Sequence, residues 1–190
     1  GSAISREGKN FLAPPFGENL FGVLQTTAKL KEEVPYLFET YGLEFLIDLE
    51  ERKLALQRRQ NGYVFKTPYN LISDTWRRII FHYAAIFSNK ESVILLEEPE
   101  SHSFPPYVSD LAYHITEDLE NQYFITTHSP HLFTRIVEET PTEEVAVFIV
   151  YYENYETKFQ KLTVDDIAEL LNYGIDIFFN AKYFMNEPAS

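Results

Sequence analysis

The sequence predicts a mixed α/β fold in which helices flank a largely parallel sheet and a small antiparallel β unit is attached. Two apolar runs, SVILLEE at 92–98 and QYFITT at 122–127, enclose a stretch with helical periodicity. This order of strand, helix and strand over about 35 residues is typical of a βαβ unit with parallel strands and a right-handed crossover. The antiparallel unit is predicted from short strand-like runs at 43–66, the last two of which flank an Asn-Gly pair. Asn-Gly favours a hairpin turn because both residues tolerate positive φ.

The composition favours one globular domain, or one large domain with an appendage. The chain has 190 residues, of which 45% are hydrophobic and 16% aromatic, enough to build a real core. Its net charge of −13 argues against a non-specific nucleic-acid clamp, which needs a basic face. We therefore expect no direct nucleic-acid contact from this chain. The absence of cysteine excludes disulfides and thiolate zinc sites.

Neither a membrane-spanning run nor a signal peptide is predicted from the sequence. No apolar run approaches the roughly 20 residues that a membrane-spanning helix needs, and the first residues lack the apolar core of a signal peptide. We expect a cytoplasmic protein without a membrane segment. The opening Gly1-Ser2 looks like an expression scar, so we also expect the chain to be a cut piece of a longer protein.

Four segments follow from these patterns. They are an irregular lead-in at 1–17 with the scar at 1–2, a helix and a small antiparallel meander at 18–71, the main α/β core at 72–152, and a C-terminal hairpin with helices at 153–190. In the second segment, apolar spacing predicts a helix over 18–41. We expect Pro35 to break or restart that helix and Gly42 to end it.

The core segment begins with a helix whose N-cap is Ser73 or Asp74. The strand at 92–98 is a continuous apolar run, which is typical of a strand buried on both faces. The elements that follow are a helix with apolar positions between 108 and 119, strand 122–127, a helix from Pro130, an apolar strand at 145–152, a hairpin through 153–156, and a helix capped by Thr163.

Polar side chains follow both strands of the predicted βαβ unit. Glu97 and Glu98 end the first strand, and His128 lies just beyond the end of the second. Because the carboxyl ends of parallel strands share one edge of a sheet, we expect these side chains to lie close together. The helix that begins near Ser73 offers backbone N–H groups and a positive dipole end to an anion. This set of groups suits metal-assisted phosphoryl transfer, in which one acid holds Mg²⁺ and the other activates water.

Three of these stretches resemble motifs of one family. VILLEEPESHSFP resembles the Walker B strand and loop of ABC-type ATPases, QYFITTHSPHLF resembles their switch-histidine strand, and ISDTWRRIIF resembles their signature helix. Together they look like the AAA/ABC-hybrid ATPases that include the overcoming-lysogenization-defect proteins and the SMC-like recombination and chromosome-maintenance ATPases. APPFGENLF also looks like a segment found upstream of the signature in some members. The resemblance implies the C-terminal lobe of an ABC-type P-loop NTPase.

The resemblance also implies roles for the polar residues at the strand ends. Glu97 takes the Walker B position on the metal side, where aspartate is commoner, and Glu98 takes the position of the catalytic base. His128 takes the switch position. We further expect Glu100 to hold together the loop that follows the acids.

The signature resemblance assigns nucleotide contacts to Ser73, Asp74 and Thr75. Ser73 matches the serine that contacts the γ-phosphate of ATP bound to a partner head. Thr75 stands where glycine is usual, or the glycine is deleted. In either case a close backbone approach to phosphate is less easy. The implied assembly is a head-to-head homodimer with ATP and Mg²⁺ between the heads, serving DNA maintenance or phage defence.

One expected motif is absent from the sequence. ABC-type ATPases need a G-x-x-x-x-G-K-S/T loop to cradle phosphate, and Gly8-Lys9, followed by Asn10, does not fit it. We therefore expect the P-loop to lie in a missing N-terminal lobe, and the isolated chain to show no measurable ATPase activity.

Simpler interpretations stay open for each residue. Glu97 and Glu98 could be solvated acids at a strand end, His128 could cap a helix, and Ser73 could be an ordinary N-cap. For the whole chain, the second hypothesis is a degenerate, non-hydrolysing head that acts as a protein-interaction module. Thr75 and the absent P-loop favour it. A nuclease or toprim-like activity needs an acidic cluster with a basic groove, which the charge of −13 disfavours.

Overall fold

The computed structural model describes residues 10–185. The predicted lead-in up to residue 9, including the scar and Gly8-Lys9, lies outside the described residues, as do positions 186–190. The helices are α1 (Leu20–Thr26), α2 (Ala28–Glu39), α3 (Asp74–Ser88), α4 (Pro105–Thr116), α5 (Pro130–Glu139), α6 (Val164–Tyr173) and α7 (Ile177–Phe184), with a 3-10 turn at Tyr69–Leu71. The strands are β1 (Glu44–Asp48), β2 (Lys53–Gln60), β3 (Tyr63–Pro68), β4 (Val93–Glu97), β5 (Gln122–Thr126), β6 (Phe148–Glu153) and β7 (Glu156–Lys161).

The helix expected over 18–41 is two helices, and the prediction for Pro35 was wrong. The helical conformation is interrupted at Thr27, between α1 and α2, whereas α2 continues through Pro35. Val34 and Phe38, on either side of the proline, are fully buried. Their packing holds the helix where the missing N–H of proline would otherwise end it. Gly42 follows with φ 64° and donates its N–H to the carbonyl of Glu39 at 2.9 Å, which confirms the predicted stop.

The antiparallel meander is confirmed. β1, β2 and β3 pair in that order, each antiparallel to the next. The turn between β2 and β3 is Asn61-Gly62, with φ values of 52° and 81°. Two central residues with positive φ match the twist of the flanking strands, which is why this dipeptide is common in hairpins.

The largest buried cluster joins α1, α2 and the meander to α3. Its fully buried side chains include Phe38, Ile80 and Tyr83. The ring of Phe38 packs between Phe45, at a centroid distance of 5.8 Å, and Trp76, at 4.6 Å. α3 is therefore fixed along its length by apolar contacts, so its N-terminal turn has a defined place.

The βαβ unit is confirmed as β4–α4–β5 with parallel strands, in which Leu95 is paired with Phe124. The expectation that β4 is buried on both faces was wrong. Ile94 and Leu96 are buried against side chains of α3 and α4, but Val93 is 58% exposed and Leu95 is 74% exposed. Within residues 10–185 no element covers the second face.

The C-terminal part forms its own small cluster. The strand expected at 145–152 begins only at Phe148, and it pairs with β7 in a two-stranded hairpin, apart from β4 and β5. Thr163 caps α6 as predicted, in a reciprocal capping box with Asp166. Among the described helices, none is long and apolar enough to cross a membrane.

Candidate functional site

Two adjacent acids at the end of β4 point in different directions. Glu97 is the last residue of the strand, and it lies on the same exposed face as Val93 and Leu95. Its carboxylate makes no hydrogen bond or ion pair with any residue between 10 and 185. Glu98 begins the following loop with φ 41°, in the left-handed region that a non-glycine residue seldom adopts. The change of backbone conformation separates the two side chains.

The backbone of Glu98 continues the parallel pairing, and its side chain faces the end of β5. Its N–H donates to the carbonyl of Thr126 at 2.9 Å. One carboxylate oxygen accepts a hydrogen bond from the Ser101 hydroxyl at 3.1 Å, and the other lies 3.4 Å from Nε2 of His128. The structure therefore brings Glu98 and His128 together, as their positions in the sequence predicted.

His128 follows β5 and is held by its backbone more than by its ring. The side chain is 81% exposed, whereas its N–H donates to Oε1 of Glu100 at 2.9 Å. The same oxygen accepts from the Thr127 hydroxyl at 2.7 Å. Glu100 thus ties the loop after β4 to the loop after β5, whereas we expected it to hold together only the loop that follows the acids. The ring of Phe178, from α7, lies 6.4 Å from the His128 ring between centroids.

The first turn of α3 approaches the same loop. The Thr75 hydroxyl donates to the carbonyl of His102 at 2.7 Å, and Nη2 of Arg78 donates to the carbonyl of Glu98 at 3.1 Å. Asp74 forms an ion pair with Arg77 one turn along the helix. Sequence reasoning missed both contacts to the loop, because Thr75 and His102 are 27 positions apart and nothing in either local sequence indicates the other.

Ser73 is the N-cap of α3, as predicted, but its hydroxyl caps no backbone N–H of the helix. It lines an open cavity of about 620 Å³ between the start of α3 and the β2–β3 hairpin. Arg58 and Lys66 contribute positive charge to this cavity, and Trp76 contributes an apolar wall. An exposed hydroxyl, two cations and a helix N-terminus form a setting in which an anionic group would be stabilised.

The donor set at the strand ends suits Mg²⁺ bound together with phosphate. Over residues 10–185 there is no group of three or more His, Cys, Asp or Glu side chains that could hold a metal by themselves. Mg²⁺ does not require such a cage, because it is usually held by one or two carboxylates, water and substrate phosphates. The unengaged carboxylate of Glu97 meets that requirement.

A family model supplies the assignment that the geometry alone leaves open. The model described as "AAA domain, putative AbiEii toxin, Type IV TA system" matches residues 19–134, which include α3, β4, β5 and both acids. The chain belongs to this AAA-domain ATPase family. The match begins at α1 and ends within α5, so the C-terminal hairpin and the last two helices lie beyond it.

Solved structures with a similar fold are heads of SMC ATPases. A chain from work on ATP-driven dimerization and DNA-stimulated activation of SMC ATPases has a TM-score of 0.52 at 15% identity, over 80% of this chain and 94% of that chain. The SMC head domain of Pyrococcus yayanosii, solved with a coiled coil and joint, has a TM-score of 0.51 at 15% identity, over 80% of this chain and 29% of its own. An SMC head bound to the C-winged helix domain of ScpA has a TM-score of 0.50 at 13% identity, over 80% of this chain and 51% of that chain. These similarities establish the fold as that of a P-loop NTPase head.

Among curated proteins, the chain is 27% identical over 105 residues to an uncharacterized protein of Methanocaldococcus jannaschii. The aligned region is 54% of this chain but only 13% of that protein. The chain therefore spans a small part of the length of this relative.

Proposed function

We propose that the chain is the C-terminal lobe of an ABC-type ATPase head that hydrolyses ATP between two heads. The observation that carries the proposal is the 3.4 Å approach of the Glu98 carboxylate to Nε2 of His128, at neighbouring ends of two parallel strands. In an open parallel sheet, ligands bind beyond the carboxyl ends of the strands. The P-loop that would hold the phosphates lies, on this proposal, in a segment outside these 190 residues.

Each residue at the strand ends has a distinct role in the proposed reaction. Glu98 accepts a proton from the water that attacks the γ-phosphate, and its carboxylate is directed by Ser101. His128 contacts the γ-phosphate, and its backbone N–H is fixed by the hydrogen bond to Glu100. Glu97 would hold Mg²⁺ from the exposed face of β4. When bound, Mg²⁺ would neutralise the charge on the phosphate oxygens during transfer.

The exposed apolar face of β4 and β5 is evidence that another lobe packs on it in the full-length protein. Val93, Leu95 and Phe124 lie on that face and are all more than half exposed, although the strands are rich in apolar residues. Apolar side chains in a contiguous exposed patch usually mark a surface that another element covers. We infer that the lobe with the P-loop packs here, which would also bring its phosphates to Glu97.

The second head is inferred from the start of α3. Ser73, with Asp74 and Thr75, would contact ATP held by a partner head in a head-to-head homodimer. The Ser73 hydroxyl, which caps no backbone N–H of α3, and the cations that line its cavity support this inference. One of the similar structures comes from work on ATP-driven dimerization of SMC ATPases. On the basis of the family resemblance, we propose a cytoplasmic role in DNA maintenance or phage defence.

The experiment that tests the proposal is Glu98→Gln in the natural full-length protein. The amide keeps the shape of the side chain but cannot accept the proton, so ATP should still bind while turnover falls by about 100-fold or more. Glu117→Gln removes an exposed carboxylate at the end of α4 and is the matched control. Unchanged turnover in the Glu98 variant would show that another group is the base.

A non-hydrolysing interaction module is the second candidate. Threonine in place of the signature glycine favours it, because the side chain at position 75 restricts the approach of a phosphate to the backbone. A full-length protein that neither binds nor hydrolyses ATP, yet captures a partner through the exposed face of β4 and β5, would establish this alternative.

A further inference from the structure

The loop after β4 contains two residues in an unfavourable backbone conformation. Glu98 has φ 41° and His102 has φ 61°, and neither is glycine. Side chains with a Cβ are disfavoured in the left-handed region, so such residues persist only where their surroundings hold them. The hydrogen bonds Ser101 N–H to Glu98 O, at 3.0 Å, and Ser103 N–H to Glu100 O, at 2.9 Å, hold the loop from within.

Besides the pairing of the Glu98 N–H with the carbonyl of Thr126, two hydrogen bonds reach the carbonyls of these two residues from outside the loop, and both come from α3. The Thr75 hydroxyl donates to the carbonyl of His102 at 2.7 Å, and Nη2 of Arg78 donates to the carbonyl of Glu98 at 3.1 Å. Thr75 and Arg78 are three positions apart and therefore lie on the same side of the helix. The two donors thus match the two left-handed residues, one at each end of the loop.

We propose that Thr75 is a positioning residue for the acid loop, acting through His102 and assisted by Arg78. By fixing the loop against α3, it sets the direction of the Glu98 carboxylate toward His128. The inference rests on the proposed function for its catalytic consequence, but the loop restraint stands without it. A glycine at position 75 has no hydroxyl, so the departure from the signature pattern supplies a contact that the usual residue cannot make.

The same geometry connects two parts of the proposed site. Ser73 caps α3 and Thr75 lies in its first turn, which packs on the large buried cluster through Trp76. A ligand bound at Ser73 and the loop that carries Glu98 therefore contact the same rigid turn. A displacement of that turn would move His102 through the Thr75 hydroxyl, and His102 would move Glu98 through the loop that joins them.

The direct test measures amide hydrogen exchange in the loop of the 190-residue chain. Thr75→Val keeps the shape of the side chain but removes the donor, and Thr75→Ser keeps the donor. We expect the amides of Ser101 and Ser103 to exchange at least about fivefold faster in the valine variant, and at the wild-type rate in the serine variant. Amides of β2, which makes no hydrogen bond with the loop among residues 10–185, should keep their protection in both.

Thr75→Gly is the second variant, in case valine disturbs the helix start. It restores the usual signature residue and also lacks the hydroxyl, so its loop should exchange faster as well. If the loop amides of both donor-free variants keep wild-type protection, the restraint does not exist and the inference is wrong. Equal loosening in the serine variant would also overturn it, because the hydroxyl would then not be the cause.

The catalytic consequence is measured in the full-length protein. Misdirection of Glu98 should lower kcat for ATP by about 10- to 100-fold in Thr75→Val, with recovery in Thr75→Ser. A loosened loop with unchanged kcat would overturn the positioning role. This result differs from failure of the proposed function, which would appear as full turnover by Glu98→Gln whatever residue occupies position 75.

Discussion

Two regions of the molecule differ in how completely they bury their apolar side chains. The closed core, which we define as the cluster of α1, α2, the β1–β3 meander and α3, buries Phe38, Ile80 and Tyr83 fully. The open sheet, which we define as β4 and β5, buries one face against α3 and α4 and leaves Leu95 and Phe124 exposed on the other. The strands of the open sheet, VILLE and QYFIT, are nonetheless rich in apolar residues.

The closed core supplies stability, whereas the open sheet carries the candidate reactive groups. The closed core holds α3 in place, and α3 in turn contacts the loop of the open sheet through Thr75 and Arg78. The candidate reactive groups Glu98 and His128 lie at the edge of the open sheet, where little apolar contact restrains them. Precision at that edge must therefore come from individual hydrogen bonds, whereas the core depends on packed area.

The largest effect expected from this contrast is a difference in the free energy of unfolding between two phenylalanine substitutions, one in each region. Phe38→Ala should lower the free energy of unfolding by about 3–5 kcal/mol, because a cavity replaces a fully buried ring. Phe124→Ala, on a side chain that is 57% exposed, should change it by less than about 1 kcal/mol. Urea denaturation of the two variants measures both. Similar losses would show that the open face is covered in solution, for example by self-association.

A smaller loss of stability is expected on acidification, and it originates in His82 of α3. His82 is buried there, and loss of hydration, with a smaller contribution from nearby Arg78, lowers its pKa to about 4. Since the unfolded chain binds this proton near pH 6.5, the protonated form favours unfolding. The contribution of neutral His82 is therefore complete above about pH 6.5 and is lost as the pH falls toward 4, by about 3 kcal/mol in total.

Comparison of pH profiles isolates this contribution. Urea denaturation at pH 7 and pH 4.5 should show a smaller loss of stability on acidification in His82→Gln than in the wild type. The exposed His131→Gln variant is the matched control and should follow the wild-type profile. A His82→Gln profile that runs parallel to the wild type would mean that water reaches His82 in the folded chain.

The sequence predicted the elements whose signals are local. The meander followed from Asn61-Gly62, and the parallel strands followed from two apolar runs at βαβ spacing. The proximity of Glu98 and His128 followed from their places at the ends of those strands, and it is confirmed. Their roles as base and switch stay predictions.

The errors came from interactions that a local pattern does not contain. Pro35 disfavours a helix locally, but the burial of Val34 and Phe38 overrides that preference. The apolar run of β4 predicted two covered faces, yet composition cannot say which segment, or which lobe, covers each face. The left-handed φ of Glu98 had no signal at all, because glutamate rarely adopts it and depends on distant donors to do so.

The smallest effect expected concerns the hydrogen bonds that join the two loops of the open sheet. Glu100→Gln keeps an acceptor for the N–H of His128 and the hydroxyl of Thr127 but removes its charge. Because hydrogen bonds to charged acceptors are stronger than neutral ones, we expect the free energy of unfolding to fall by about 1 kcal/mol. The His128 amide should exchange faster, while the amides of α3, which belongs to the closed core, keep their protection. An equal increase in exchange at both places would mean that the open sheet and the closed core unfold as one unit, and that the edge carrying Glu98 and His128 is no less stable than the core beneath it.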